Sequence, residues 1–162
     1  MERNLYEYRD IAAAYNAVAA TFSDLQEQVL GPVMEHAAEQ SKVATAELHS
    51  EIAGFEVGRD ITVVTGPVKE LSPQAMHLPV HWTSTRSPAL FPAMEGVIEI
   101  SAQSDSPPRT QVAFIGHYTP PLGAVGSLGD ALIGHTVAAK AITHLLEDVA
   151  TRLESAAQSR AT

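Results

Sequence analysis

At 162 residues and a formal charge of −9, with seven histidines counted as neutral, the chain is long enough for a substantial core and too acidic for a nucleic-acid surface or an electrostatic hold on anionic lipid. The absence of cysteine excludes disulfides, a thiolate nucleophile and a Cys-ligated metal. No apolar run reaches bilayer-spanning length, and the charged start MERNLYEYRD lacks a signal peptide's apolar region, so the expectation is one cytoplasmic domain over residues 1–162 with no integral membrane segment.

In chain order, Asn4 to Arg9 reads as a short first strand with Leu5, and one of Tyr6 or Tyr8, turned inward. Asp10 suits the cap of a helix through Ile11, Ala14, Tyr15, Val18 and Phe22. Ser23 or Asp24 suits the cap of a second helix through Leu25, Val29, Val33 and Met34, broken or kinked at Gly31-Pro32 and continued from Glu35 to Val43. From Ala46 the period becomes two, as Ala46, Leu48, Ser50 and Ile52 alternate with Glu47, His49 and Glu51. Phe55 to Val64 is a further extended run that ends at Gly66-Pro67. Met76, Leu78, Val80 and Trp82 share one face of the next strand, opposite His77, Pro79, His81 and Thr83. After the connection RSPALFP (86–92), Gly96, Ile98 and Ile100 begin another strand. SDSPPR (104–109) reads as a hairpin loop, and Thr110 to Tyr118 as the last strand, with Val112, Phe114, Gly116 and Tyr118 on one face.

Pro120-Pro121 stops that strand, because proline cannot donate to a sheet ladder, and Gly123, Gly126 and Gly129 allow a reversal. From about Asp130 the pattern is helical almost to the end. Ala138, Ala139, Ala141, Ile142, Leu145, Leu146, Val149 and Leu153 fall on one broad face, with Thr136, Lys140, Thr143, His144, Glu147, Asp148, Thr151 and Glu154 opposite. The N-terminal half of the apolar face is small and its C-terminal half large. His135, one turn before Ala138 and Ala139, interrupts the stripe, and the expectation is a buried histidine.

Helices segregated from a run of antiparallel strands make an α+β pattern. Trp82, Leu90-Phe91-Pro92, Gly96, the run Gly116-His117-Tyr118-Thr119-Pro120-Pro121, then Gly123, Gly126 and Asp130 together resemble the SRPBCC or START-like superfamily, and bacterial members without an assigned activity in particular. The resemblance covers the second half of the chain in its motifs and the first half in its element order. It implies a helix-grip fold: a curved antiparallel β-sheet wrapped around a long C-terminal helix, with two shorter N-terminal helices and an apolar cavity between sheet and helix. It further implies binding of a lipid- or polyketide-like ligand, or polyketide cyclisation, with no catalytic residue set common to the group.

The candidate site residues follow the two elements that would line such a cavity. Trp82 is either core or a pocket wall, and Phe91, Ile98 and Phe114 join it. Arg86 continues the Trp82 face at a strand end, where it meets either an acidic ligand or a surface carboxylate. Tyr118 packs its ring inward and aims its hydroxyl at a ligand or at the Pro-Pro corner. His117 points the other way, to the surface. On the helix, Ala138, Ala139 and Ile142 form the facing wall, and His135 serves either as a structural hydrogen-bonding group or as a ligand contact or proton-transfer group.

His77 and His81 lie about 13 Å apart along a strand, too far for one zinc ion, and read as solvated surface residues. No phosphate loop, nucleophile elbow or paired-carboxylate pattern is present, so no cofactor or metal is expected. Three functions remain. The first is a binding protein for a small hydrophobic or amphipathic ligand. The second is a cyclase or aromatase on the same fold, with His135 or Tyr118 as acid–base. The third is a protein-interaction module with a collapsed cavity.

Overall fold

The computed structural model describes the backbone of residues 2–25, 42–52, 55–84, 93–119 and 128–161, and the side chains of 2–23, 65–81, 93–119, 135–136, 138–140 and 142–161. The elements are β1 (Arg3–Ile11), α1 (Tyr15–Leu25), β2 (Lys42–Ile52), β3 (Phe55–Thr65), β4 (Lys69–Ser72), β5 (Ala75–Ser84), β6 (Ala93–Asp105), β7 (Pro108–Thr119) and α2 (Leu128–Arg160). All paired strands are antiparallel, in the order β1-β7-β6-β5-β3-β2, with β4 added on β5. The outermost strands β1 and β2 both touch α2. A sheet whose two ends reach the same helix must curl, and this one closes round α2 in a helix-grip arrangement.

Strand β1 is two residues longer than expected at its C-terminal end, and this displaces the first helix. Asp10 pairs with Gln111 and Ile11 with Thr110, so both are ladder residues and Asp10 caps nothing. Ladder hydrogen bonds to β7 win here over the local capping preference of Asp. The chain turns at 12–14, where the buried Thr110 hydroxyl donates to the Ala13 carbonyl at 2.9 Å, and α1 starts at Tyr15. Val18, Thr21 and Phe22 give α1 its buried side, at the i, i+3, i+4 spacing of a helix face. Ser23 and Asp24 lie inside α1 rather than before a second helix. Most of the expected second helix falls outside the described residues, but Lys42 and Val43, assigned to its continuation, belong to β2.

On β1, Leu5 and Ile11 are buried, while Tyr6 and Tyr8 are 54% and 47% exposed. Period-two alternation puts both tyrosines on the outer face, where the Tyr6 hydroxyl donates to Gln111 Oε1 at 3.2 Å and the two rings lie 6.0 Å apart. The strand β4, which carries no alternating apolar pattern, was not expected; all of its residues are exposed and it is held by backbone pairing to β5. The hairpin between β6 and β7 is tighter than the loop 104–109: the strands run on to Asp105 and from Pro108, with Ser106-Pro107 (joined by a cis peptide) as the turn.

The described core is one cluster. It joins Leu5, Ile11, Val18 and Phe22 to Leu78, Val80, Met94, Ile98, Ile100, Val112, Phe114 and Tyr118 of the sheet. From α2 it takes Ala138, Ile142, Leu146, Val149, Ala150, Leu153 and Ala157. These recur at helical spacing, with Glu147, Asp148 and Thr151 exposed opposite, as the periodicity predicts.

Candidate functional site

The concave face of the sheet is a set of rows that run across the strands. One row joins Leu78, Ile98 and Phe114; the next joins Val80, Gly96, Gly116 and Leu5; the next joins Trp82, Met94, Tyr118 and Arg3. Ile98, Phe114 and Tyr118, three of the sheet residues singled out from the sequence, are thus neighbours on one face, at 4%, 0% and 0% exposure. Met94, 1% exposed and paired with Tyr118, belongs with them and was missed. Extending the alternation of Gly96, Ile98 and Ile100 two residues backwards would have found it.

The glycine row gives this face its shape. A Cβ on Gly96 would stand 2.4 Å from the Ile115 carbonyl oxygen and 2.7 Å from the Gly116 Cα, so the strands approach here as no side chain would allow. Phe114 leans its ring across the row, with Cζ within 2.9 Å of where either Cβ would be. An aromatic ring laid over paired strand glycines covers backbone that would otherwise lack a packing partner.

From α2, Ala138 and Ile142 face the sheet and are fully buried, and Ala139 is half-buried. His135 departs from expectation: it is exposed. Its helical phase is right for the buried stripe, since seven residues separate it from Ile142 and the two directions differ by only about 20°. Among the described residues, burial along this stripe nevertheless begins only at Ala138. Solvent therefore reaches α2 at His135, a position in phase with the buried stripe. The His135 ring stands 5.8 Å from the ring of Tyr118, tilted by 45°.

Tyr118 itself has no access to that solvent. Its hydroxyl is fully buried and has no hydrogen-bond partner among the described residues. Buried hydroxyls are nearly always paired, and one left alone costs about 1–3 kcal/mol. An apolar wall, an unpartnered hydroxyl in it and an exposed imidazole beside it thus meet at one end of the gripped helix.

Of the remaining candidates, the backbone of Trp82 is in β5 opposite Met94, and its side chain, Arg86 and Phe91 lie outside the described residues, as does the Pro-Pro corner. His117 is on the outer face, a third exposed, with Nε2 3.6 Å from Glu2. His77 is not a solvated histidine: it is three-quarters buried and its Nε2 meets Glu99 Oε2 at 2.5 Å, the cross-strand residue in register. His81, next on that face, is exposed. Among the described residues no group of three potential metal ligands comes together, and no helix is long and apolar enough to cross a membrane.

A surface groove of about 310 Å³ opens at the other end of the helix, between Arg9 and Asp10 of β1 and the Glu147 to Gln158 stretch of α2. Arg9 reaches Glu147 across it at 3.2 Å, and Glu154 accepts the Ala12 N–H at 3.4 Å. Its lining is mostly polar, and the Arg9–Glu147 ion pair spans it.

No family model matches the chain, and no curated protein matches it. Solved structures do. A conserved protein from Geobacillus kaustophilus is 14% identical, with 92% of this chain and 96% of that one aligned and a TM-score of 0.48. A START superfamily protein from Mycobacterium smegmatis is 17% identical over 94% of this chain and 97% of that one, with a TM-score of 0.45. The Zhui aromatase/cyclase from Streptomyces sp. R1128 is 17% identical over 99% and 94%, with a TM-score of 0.40. The helix-grip assignment rests on this chain's own strand order and on the contact of both outer strands with α2.

Proposed function

We propose that the chain binds a small hydrophobic or amphipathic molecule, of lipid or polyketide type, between the concave face of the sheet and the N-terminal half of α2. The observation that carries this reading is the buried Tyr118 hydroxyl without a partner among the described residues, beside a helix position, His135, that solvent reaches. Ile98, Phe114, Ala138 and Ile142 supply apolar wall, Ala139 the space next to His135, and Trp82, Arg86 and Phe91 are assigned to the same site by their positions in the sequence. Binding would draw on burial of ligand carbon at about 25 cal/mol per Å², less the cost of ordering the ligand.

The test is a filled site. Ala139→Phe places a ring in the half-buried position one turn from His135. Titration with the neutral fluorescent probe N-phenyl-1-naphthylamine is expected to show binding to the wild type and loss of at least about tenfold in the variant, with an unchanged urea midpoint. Undiminished probe binding together with a lowered midpoint would make the helix face solid core and would favour an interaction module instead.

A further inference from the structure

The chemistry around Tyr118 narrows the ligand class. Tyr118 stands on an apolar face of the sheet: Met94 is its register partner, and Phe114 and Ile98 follow on the same face, all within 4% exposure. No basic side chain among the described residues reaches it; Arg3, opposite Tyr118 on β1, is exposed. Among the described residues no cation pairs with the hydroxyl, and an anion buried there unpaired would be far costlier than a neutral polar group. A purely hydrocarbon ligand would leave the hydroxyl as it stands, unpaired. A phenol is a stronger donor than acceptor, because its lone pair is delocalised into the ring, so the group that suits it is a neutral oxygen that accepts.

We infer that the ligand is neutral and carries a carbonyl oxygen, of ketone, ester or quinone type, that accepts a hydrogen bond from Tyr118 Oη. This rests on the binding reading above and adds the ligand's functional group to it. The exposed His135 ring stands beside the fully buried Tyr118, so the carbonyl end is the end that lies deep.

Two probes of one skeleton separate the possibilities: 6-propionyl-2-(dimethylamino)naphthalene, whose emission shifts to the red when its carbonyl is hydrogen-bonded, and 6-propyl-2-(dimethylamino)naphthalene, which has no carbonyl. The wild type is expected to prefer the carbonyl probe. Tyr118→Phe is expected to weaken that probe by about five- to tenfold and to shift its bound emission to the blue, while leaving the propyl probe unchanged. Urea unfolding of the ligand-free variant is expected to show no loss of stability, because the hydroxyl makes no bond that the substitution removes. If neither probe binds the wild type, the binding reading falls and this inference with it. If both probes bind and Tyr118→Phe treats them alike, the binding reading stands and the carbonyl assignment is overturned. A ligand-free variant that is destabilised would likewise overturn it, since the hydroxyl would then be satisfied within the protein or by a structural water.

Discussion

Gly96 and Gly116 face each other across β6 and β7 so closely that a Cβ on either would stand 2.7 Å from the other's Cα. Besides the Phe114 ring, the atoms that would be struck are backbone, including the Glu95 and Ile115 carbonyl oxygens, and backbone in the middle of a paired sheet cannot step aside. Gly96→Ala and Gly116→Ala are therefore each expected to lower stability by about 1–3 kcal/mol or more, read from the urea midpoint. A change within about 0.5 kcal/mol would mean that the two strands separate freely at this point.

The Thr110 hydroxyl ties the turn after β1 to β7 from a fully buried position. Thr110→Val keeps the shape and leaves the Ala13 carbonyl without this donor. The expected cost is about 1–2 kcal/mol, and faster amide exchange should appear first at residues 12–15, next to the broken tie. A neutral result would show that another donor takes over.

The α2 stripe holds the sheet's inner face. Leu146 and Leu153 are fully buried, and either change to Ala is expected to cost about 2–5 kcal/mol. Truncation after Gly129 removes the whole stripe and should abolish cooperative unfolding; a sharp thermal transition in the shortened chain would refute this.

Burial, and then the Glu70 carboxylate nearby, push the Tyr15 phenol above its ordinary value. A raised folded-state value means that the folded chain holds this proton longer than the unfolded chain does. The contribution is complete below the unfolded value near 10 and is lost as pH rises through the folded one. Tyr15→Phe should thus flatten the fall of stability above pH 10 and leave its pH dependence near neutrality unaltered. An alkaline limb of the same steepness in both proteins would assign it to other groups.

What the sequence by itself determined here is periodicity, and periodicity is local. Alternation at Met76–Trp82 and Val112–Tyr118 identifies strands and their inner faces, and the i, i+3, i+4 recurrence from Ala138 to Leu153 identifies the helix and its buried side, because side-chain direction follows from backbone geometry alone. Where an element ends is less local. Asp10 has the chemistry of a cap, yet pairing with Gln111, about a hundred residues on, keeps it in a strand. Strand β4 has no pattern of its own and exists because β5 offers it an edge.

The site divides along the same line. Ile98, Phe114, Tyr118, Ala138 and Ile142 share one interior, as their phases predict. His135 has the phase of a buried residue and is exposed, because phase gives a direction while burial requires something in that direction at contact distance. That is decided by the packing around α2 and not by phase. The same tertiary placement buries the Tyr118 hydroxyl and leaves it without a partner among the described residues, a condition that belongs to the packed chain and to no stretch of sequence.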